Sequence, residues 1–362
     1  MSLHTVFKKA LISILPVLSI GLAAQPSQAA DNIGFIYVSP IGDAGWTYQH
    51  DLGRQQMEKA LGGKVTTNYV ENVAEGADAE RVIREMAKRG DKAIFATSFG
   101  YMNYMLKVSK MYPKTAFLHA TGYKMGKNMG LYNARFYEGR YLTGVIAGKM
   151  TRSNKLGYVA AFPIPEVLQG INAFIKGARS VNPDAQLSVI WVNSWYDPGK
   201  EREASMTLIS QDADVLTHHT DSTAVVQAAE EKGIYAFGYH SDMSKYGPKA
   251  HLTAATHHWG DYYTKIVEEV LAGTWKPDSI WGGYKEGMIS LAPLNPAIPE
   301  DVQQTIRAME DDLRSGKLHP FAGPVVDQDG KTLVAAGEVM SDKDLNSMNF
   351  YVQGVTSKLP KK

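Results

Sequence analysis

Strand-like and helix-like segments alternate along most of this 362-residue chain. The first of them read "GFIYVSP", "TYQHDLGRQQMEKAL", "KVTTNYVENV" and "ADAERVIREMAKRG". Runs rich in β-branched and aromatic residues are thus followed by segments with the apolar spacing of a helix. A strand, a helix and a further strand in succession imply right-handed crossovers and a parallel sheet. The pattern therefore predicts an α/β fold.

A second series of the same kind begins at "KLGYVAAFP" and joins the first near residues 151–155. Because the chain is longer than one compact core usually holds, we expect two Rossmann-like lobes with parallel sheets. The later segments "HLTAATHH" and "SIWGGYKEGMISLAP" indicate that the chain crosses back, which makes a multi-crossing hinge. The expected boundaries are 31–150 with about 245–280 for the first lobe, 151–244 with about 281–340 for the second, and 341–362 for a tail.

The first thirty residues have the pattern of a secretory signal peptide. Lys8 and Lys9 precede an apolar run, and the small residues Ser27 and Ala29 follow it. The chain has no cysteine, so we expect neither disulfides nor a lipid anchor. Without the two lysines, 36 basic residues face 37 acidic ones, a balance that does not favour nucleic acid or an anionic membrane as partner. We expect a soluble protein of the periplasm.

Aromatic and acidic residues recur where the predicted strands end, whereas Lys and Arg are scarce there. In open parallel sheets, ligands bind beyond the carboxyl ends of the strands. An anionic ligand would need basic residues at these ends, so a flat, neutral or weakly basic ligand with donor groups fits better. The ends read "SPIGDAGW" (39–46), "TSFGY" (97–101), "AFPIPE" (161–166), "NSWYDPGK" (193–200), "HHTDST" (218–223) and "YHSDM" (239–243).

The order of several segments resembles the basic membrane protein family of ABC-transporter substrate-binding proteins, the purine nucleoside receptor type. The resemblance covers about 33–324 and lies in "GDAGWTYQHD", "TSFGY", "FYEGRYLTGVIAGKM", "GINAFIKGARSVNP", "NSWYDPGK" and "FGYHSDM". It implies a type I periplasmic binding protein fold. It also implies a monomer that closes on a purine base or nucleoside and delivers it to an ABC permease in the inner membrane.

Carried over by position, the resemblance implies a set of ligand-binding residues. Trp46 and Trp195 would sandwich a planar ring, and Asp43 would accept hydrogen bonds from ring or amino nitrogens. Thr47 and Trp259 replace residues that the family uses partly for the sugar, which favours a bare base, adenine above all. The expected ligand-binding residues are Asp43, Trp46, Thr47, Tyr48, Ser98, Phe99, Phe162, Trp195, His219, Asp221 and Asp242.

Structural interpretations of these residues stay open. The tryptophans would also suit a core or an interface, Asp43 and Asp221 would also suit helix caps, and Asp242 would also suit a cap at the hinge. His219 would serve as a hydrogen-bond partner in the cleft.

We expect no metal and no cofactor. His218 with His219, and His257 with His258, lie in strand-like runs, where neighbouring side chains point to opposite faces, so neither pair can chelate a metal.

The sequence lacks a nucleophile elbow, a phosphate loop, a dinucleotide fingerprint and a zinc-protease motif, so we do not expect an enzyme. The enzymatic alternative is a periplasmic nucleoside hydrolase that uses Asp43 and Asp242 as acid/base or metal-binding carboxylates. A third alternative is a receptor that presents its ligand to a membrane sensor.

Overall fold

The computed structural model describes residues 1–2 and 30–360, so nearly all of the expected signal peptide lies outside the described residues. In the described part of the chain, no helix combines the length and the apolar character needed to cross a membrane.

The first sheet has the strand order β11-β5-β4-β3-β1-β2, and all of its strand pairs are parallel. Its central strands are buried along their whole length, which is typical of a parallel sheet covered on both faces. The strands are β1 (Asp31–Ile36), β2 (Val65–Val70), β3 (Ala93–Ala96), β4 (Ala116–Ala120), β5 (Met129–Ala134) and β11 (Ser279–Gly282). The helices packed with this sheet are α1 (Trp46–Leu61), α2 (Ala77–Arg89), α3 (Met102–Ser109) and α8 (Gly260–Leu271).

The second sheet has the order β12-β10-β9-β8-β6-β7, and only β12 runs antiparallel to its neighbour among the described strands. Its strands are β6 (Lys155–Ala160), β7 (Gln186–Trp191), β8 (Val215–His219), β9 (Tyr235–His240), β10 (His251–His257) and β12 (Ile289–Leu291). The helices of this lobe are α4 (Phe136–Met150), α5 (Pro165–Val181), α6 (Pro198–Ser210), α7 (Ala224–Lys232) and α9 (Glu300–Arg314). The predicted pair of α/β lobes with parallel sheets is confirmed.

The chain passes between the lobes at three places. It crosses from β5 to α4 at Arg135, from β10 to α8 at 258–259, and from β11 to β12 at 283–288. Two segments lie in a different lobe from the one expected. Helix α4 packs against β10 and α5, and β10 pairs with β9 in the second sheet. These assignments depend on pairing between distant segments, which local periodicity does not encode.

Glycines permit the close packing of α4 on α5. A Cβ atom on Gly144 would lie 2.0 Å from the carbonyl oxygen of Phe174, and one on Gly177 would lie 2.1 Å from that of Tyr141. Only a residue without a side chain fits at such contacts, so the glycines of α4 and α5 have a direct structural reason.

The C-terminal segment covers the free edge of the second sheet. It contains β13 (Val325–Val326), β14 (Thr332–Val334) and α10 (Asp342–Asn346). The amide of Leu187 on β7 donates to the carbonyl of Gly354 at 2.8 Å, and Asn172 on α5 donates to the carbonyl of Phe350 at 2.8 Å. Covering an edge strand in this way removes a surface on which another chain could pair.

Candidate ligand-binding site

A small cavity of about 20 Å³ lies between the two lobes, at the carboxyl ends of both parallel sheets. A wider space of about 450 Å³ adjoins it and shares Phe99, Thr121, Ile164 and Glu166 with it. The first lobe contributes Val38, Trp46, Thr97, Ser98, Phe99 and Thr121 to the lining of the cavity, and the second lobe contributes Ile164, Glu166, Trp195, His219, Asp221 and His240.

Two tryptophans from opposite lobes line this cavity. Trp46 is the first residue of α1, and its indole nitrogen donates to the carbonyl oxygen of Thr97 at 2.5 Å. Trp195 follows β7 in the chain, and its ring packs edge-on against that of Phe162, with 5.0 Å between the ring centroids. The indole nitrogen of Trp195 is buried and has no hydrogen-bond partner in the protein. This donor is therefore free to pair with a ligand acceptor.

A layer of aromatic and histidine rings supports Trp46 from behind. The ring centroid of His50 lies 4.3 Å from that of Trp46, and the ring centroid of His257 lies 5.1 Å from it. Trp259 stacks on His50 with an interplanar angle of 9°. The side chain of Trp259 is buried in this layer and does not line the cavity. In the closed arrangement, this layer holds the orientation of the Trp46 ring.

Two carboxyl groups face the cavity from the second lobe. Asp221 accepts a hydrogen bond from the hydroxyl of Ser39 at 3.0 Å, and its other oxygen lies 3.7 Å from Nε2 of His240. Burial raises the pKa of Asp221 well above its ordinary value, and the nearby Glu201 carboxylate raises it further. Burial also raises the pKa of Glu166 to about 8, although the proximity of the Asn133 side-chain amide opposes the shift.

The histidines of the cavity are uncharged at neutral pH. Burial lowers the pKa of His219 and of His240 well below the ordinary value. The buried Arg140 lowers both further, and its guanidinium lies 3.2 Å from the ring centroid of Tyr239. No Lys or Arg is among the residues that line the cavity. The closed cavity therefore carries little charge: its two imidazoles are neutral, and burial disfavours the charged form of both carboxyl groups.

The loop between β1 and α1 docks on the second lobe and closes one side of the cavity. The amide of Gly45 donates to the hydroxyl of Ser241 at 2.8 Å. A Cβ atom on Gly45 would lie 2.3 Å from the carbonyl oxygen of Asp221, and φ of Gly45 is +97°. The lobes thus touch across the ligand site, as in a closed binding protein.

The structure brings most of the sequence-predicted residues to one place. Trp46, Ser98, Phe99, Trp195, His219 and Asp221 line the cavity. Thr47 and Phe162 lie directly behind this lining. The hydroxyl of Thr47 is 2.7 Å from that of Ser39, which in turn binds Asp221, and Phe162 contacts Trp195.

Three predicted residues lie outside the lining of the cavity. Asp43 is exposed and forms an ion pair of 3.0 Å with Lys245 across the two lobes. Asp242 is exposed and accepts a hydrogen bond from the amide of Ser244 at 2.8 Å, within the loop that follows β9. Tyr48 is half-buried on α1.

Sequence reasoning missed Glu166 and His240. Both lie within the strand ends that the sequence singles out, but an acidic residue in the first turn of a helix has an ordinary structural explanation. His240 has a left-handed backbone with φ of +69°, a conformation that is uncommon for residues other than glycine. Its Nδ1 lies 3.0 Å from Nε2 of His257. Only the three-dimensional structure reveals this arrangement.

The family model described as "ABC transporter substrate-binding protein PnrA-like" matches residues 30–315. A purine-binding protein of Brucella abortus is 54% identical over 328 residues, which cover 91% of this chain and 93% of the relative. A protein of Haloferax volcanii, whose name proposes glucose binding for an ABC transporter, is 39% identical over 330 residues, 91% of this chain and 81% of the relative.

Solved structures share the fold at low sequence identity. A solute-binding protein of an ABC transporter system from Aeropyrum pernix has a TM-score of 0.70 at 17% identity, over 88% of this chain and 96% of the other. A solute-binding protein of an ABC transporter system from Conexibacter woesei has a TM-score of 0.66 at 22% identity, over 80% of this chain and 98% of the other. These likenesses confirm the periplasmic binding protein fold, and the family match confirms the resemblance found in the sequence. The chain belongs to the Bmp family of PnrA-like substrate-binding proteins of ABC transporters.

Proposed function

We propose that this protein binds a purine base, preferably adenine, between its two lobes and delivers it to an ABC permease. The observation that carries the proposal is the closed, nearly neutral cavity with tryptophan rings contributed by both lobes. Flat heteroaromatic ligands bind favourably between such rings, because stacking adds to the burial of apolar surface. The chain would act as an exported monomer, with residues 1–30 as its signal peptide.

The charge of the cavity favours a base or nucleoside over a nucleotide. Because no basic side chain lines it, a nucleotide phosphate would remain without a partner. The unpartnered indole nitrogen of Trp195 and the carboxyl groups of Glu166 and Asp221 supply the donors and acceptors that a purine edge requires.

The relatives favour a purine over a sugar only in part, since one is named for purines and the other for glucose. A sugar presents hydroxyl groups around its whole rim and needs polar partners on all sides. Here Val38, Phe99, Ile164 and both tryptophans make much of the wall apolar. This chemistry supports the purine.

The same geometry supports binding without turnover. Asp43 and Asp242, the two carboxylates of the hydrolase alternative, are exposed and lie outside the lining of the cavity. A catalytic acid or base must lie within hydrogen-bond reach of its substrate.

Calorimetric titration tests the ligand. Adenine, hypoxanthine, guanine, adenosine, guanosine and glucose would be titrated into the purified protein, and the mixtures would be resolved by chromatography afterwards. We expect adenine to bind most tightly, the bases to bind more tightly than their nucleosides, and every compound to be recovered intact. Binding of glucose without purine binding would contradict the proposal, and release of base from a nucleoside would favour the hydrolase.

A further inference from the structure

We propose that Glu166 selects the purine, and that it does so as an uncharged carboxylic acid that donates one hydrogen bond and accepts another. This inference rests on the proposed function and deepens it. Glu166 would pair with ligand edges that present an acceptor nitrogen or oxygen beside an N–H group. Adenine and hypoxanthine have such edges. Guanine has the same kind of edge at O6 and N1–H, but its N1–H and amino group also present two neighbouring donors, which an ionised carboxylate suits better. Guanine should therefore tolerate ionisation of Glu166, whereas adenine should not.

Glu166 faces the cavity, where a ligand can reach it, and it has few hydrogen-bond partners within the protein. It lies in the first turn of α5, lines the cavity, and its side chain is only 11% exposed. Its Oε2 atom is buried and has no hydrogen-bond partner in the protein. Its Oε1 atom lies 3.6 Å from Nε2 of His219, beyond ordinary hydrogen-bond length. A buried carboxyl oxygen without a partner is costly, so a ligand donor or acceptor has a place to bind.

The groups packed around Glu166 do not supply a cation to pair with it. His219 of β8 is neutral, because burial holds its pKa well below the ordinary value. Tyr158 of β6 and Tyr239 of β9 lie near enough for the Glu166 charge to raise their pKa values. Arg140 of α4 binds Thr217 and the carbonyl of His218 and stacks on Tyr239. Among the described residues, no Lys or Arg side chain forms an ion pair with Glu166.

Asn133 of β5 faces Glu166 from the other lobe. The proximity of this side-chain amide lowers the pKa of Glu166 and so opposes the effect of burial. Asp221 receives the hydroxyl of Ser39 from the first lobe in the same manner. Each carboxyl group of the second lobe therefore has a neutral donor opposite it, and closure does not bring a positive charge to either.

The uncharged form gives the site a dependence on pH. We expect open lobes to expose Glu166 to water, which would bring its pKa near the ordinary value of 4.5, whereas its pKa in the closed protein is about 8. Closure on a ligand should then take up protons between these values. The affinity for adenine should accordingly fall as pH rises from 5 to 8, by at most about tenfold per unit. Asp221 shifts in the same direction and contributes to the same slope.

Three variants test the inference by calorimetry between pH 5.5 and 9, in buffers of different ionisation enthalpy. Glu166→Gln keeps one donor and one acceptor but cannot titrate, so it should bind adenine within a few-fold of the wild type at pH 5.5 and take up fewer protons. Glu166→Leu should lose about ten- to hundredfold in affinity for adenine. Glu85→Gln, at an exposed position of α2, should change neither quantity.

The wild type supplies a second measurement that needs no folded variant. Its preference for adenine over guanine should narrow as pH rises from 5.5 to 9. Equal losses in Glu166→Gln and Glu166→Leu, or unchanged proton uptake in Glu166→Gln, would overturn the role of Glu166 while purine binding stands. A preference for adenine over guanine that does not change with pH would also overturn the role of Glu166 and leave purine binding standing. Failure of the wild type to bind any purine would overturn the proposed function and this inference together.

Discussion

Two aspartates of similar appearance in the sequence have different surroundings in the fold. Asp221 is buried, lines the cavity and accepts a hydrogen bond from Ser39 of the opposite lobe. Asp43 is exposed and contacts Lys245 and Tyr246 at the rim of the closed lobes. Both follow a strand, so their sequence positions alone do not distinguish a ligand contact from a surface ion pair.

Substitution of these aspartates separates the two roles. Asp221→Ala should weaken adenine binding by about 1–3 kcal/mol, because a polar contact is lost and the hydroxyl of Ser39 loses its acceptor. Asp43→Ala removes only an exposed ion pair and should leave the affinity within about threefold of the wild type. Calorimetry on both variants checks this, with thermal unfolding as the control for folding. If both variants lost the same affinity for adenine, the ion pair of Asp43 at the rim would matter as much for binding as Asp221 in the cavity.

The cavity could be predicted in outline because the carboxyl ends of parallel strands meet at one edge of a sheet. The strand ends include Trp46, Trp195 and Asp221, and the family resemblance assigns these residues to the ligand. Glu166 was not found, because a first-turn glutamate is common in helices that bind nothing. The outward direction of Asp43 depends on the conformation of a glycine-containing loop, which the local sequence does not determine.

At the scale of elements, the α4–α5 contact depends on glycines that no other residue can replace. Gly144→Ala would place a methyl group 2.0 Å from the backbone carbonyl oxygen of Phe174. Backbone cannot move aside as a flexible side chain does, so we expect a loss of about 1–3 kcal/mol or more in the free energy of unfolding. Gly63→Ala is the matched control, since nothing lies within 4 Å of its added methyl group. Chemical denaturation measures both, and equal stability of the two variants would contradict the tight packing of these helices.

The crossing segments carry a buried carboxyl group of their own. Glu138 on α4 accepts from the amide of Tyr284 at 2.7 Å, and burial raises its pKa to about 7. The folded protein therefore binds this proton more tightly than the unfolded chain, whose glutamate has the ordinary pKa of 4.5. The contribution of Glu138 to stability is greatest below pH 4.5 and declines as pH rises to about 7.

Glu138→Gln should remove this dependence. Relative to the wild type, the variant should gain stability as pH rises from 5 to 7.5, by at most about 3 kcal/mol, and the difference should then stay constant. Thermal unfolding across this range gives the measurement, with Glu85→Gln on the exposed face of α2 as the control. If the variant instead gained stability relative to the wild type as pH falls, Glu138 would be ionised in the folded protein.

On the scale of the whole molecule, Gly45 couples the two lobes. Gly45→Ala would place a methyl group 2.3 Å from the carbonyl oxygen of Asp221, so the closed arrangement should be blocked while each lobe still folds. Gly42→Ala is a matched control in the same loop, because Gly42 also has a positive φ but has nothing within 4 Å. We expect adenine to reduce the radius of gyration of the wild type and of Gly42→Ala, but not of Gly45→Ala. Small-angle scattering with and without adenine makes this comparison, and compaction of Gly45→Ala would show that closure does not need this contact.

The α/β architecture could be read from the sequence because strand and helix periods are local properties. The division into lobes could be read only in part. The membership of β10 in the second sheet is determined by its hydrogen bonds to β9 and β12. The position of α4 in the second lobe is determined by its close packing on α5, which the glycines permit. Both depend on partners far away along the chain.

The three crossings have a consequence for proteolysis. Neither lobe is one continuous stretch of chain, because residues 260–282 return to the first lobe after most of the second has been formed. A protease that cuts at Arg135 leaves two fragments still joined through the first sheet, because β11 of the C-terminal fragment pairs with β5 of the N-terminal fragment. Releasing a lobe requires cuts at all three crossings. We therefore expect a nicked protein to migrate as one species on native gels and to separate into fragments only in denaturant.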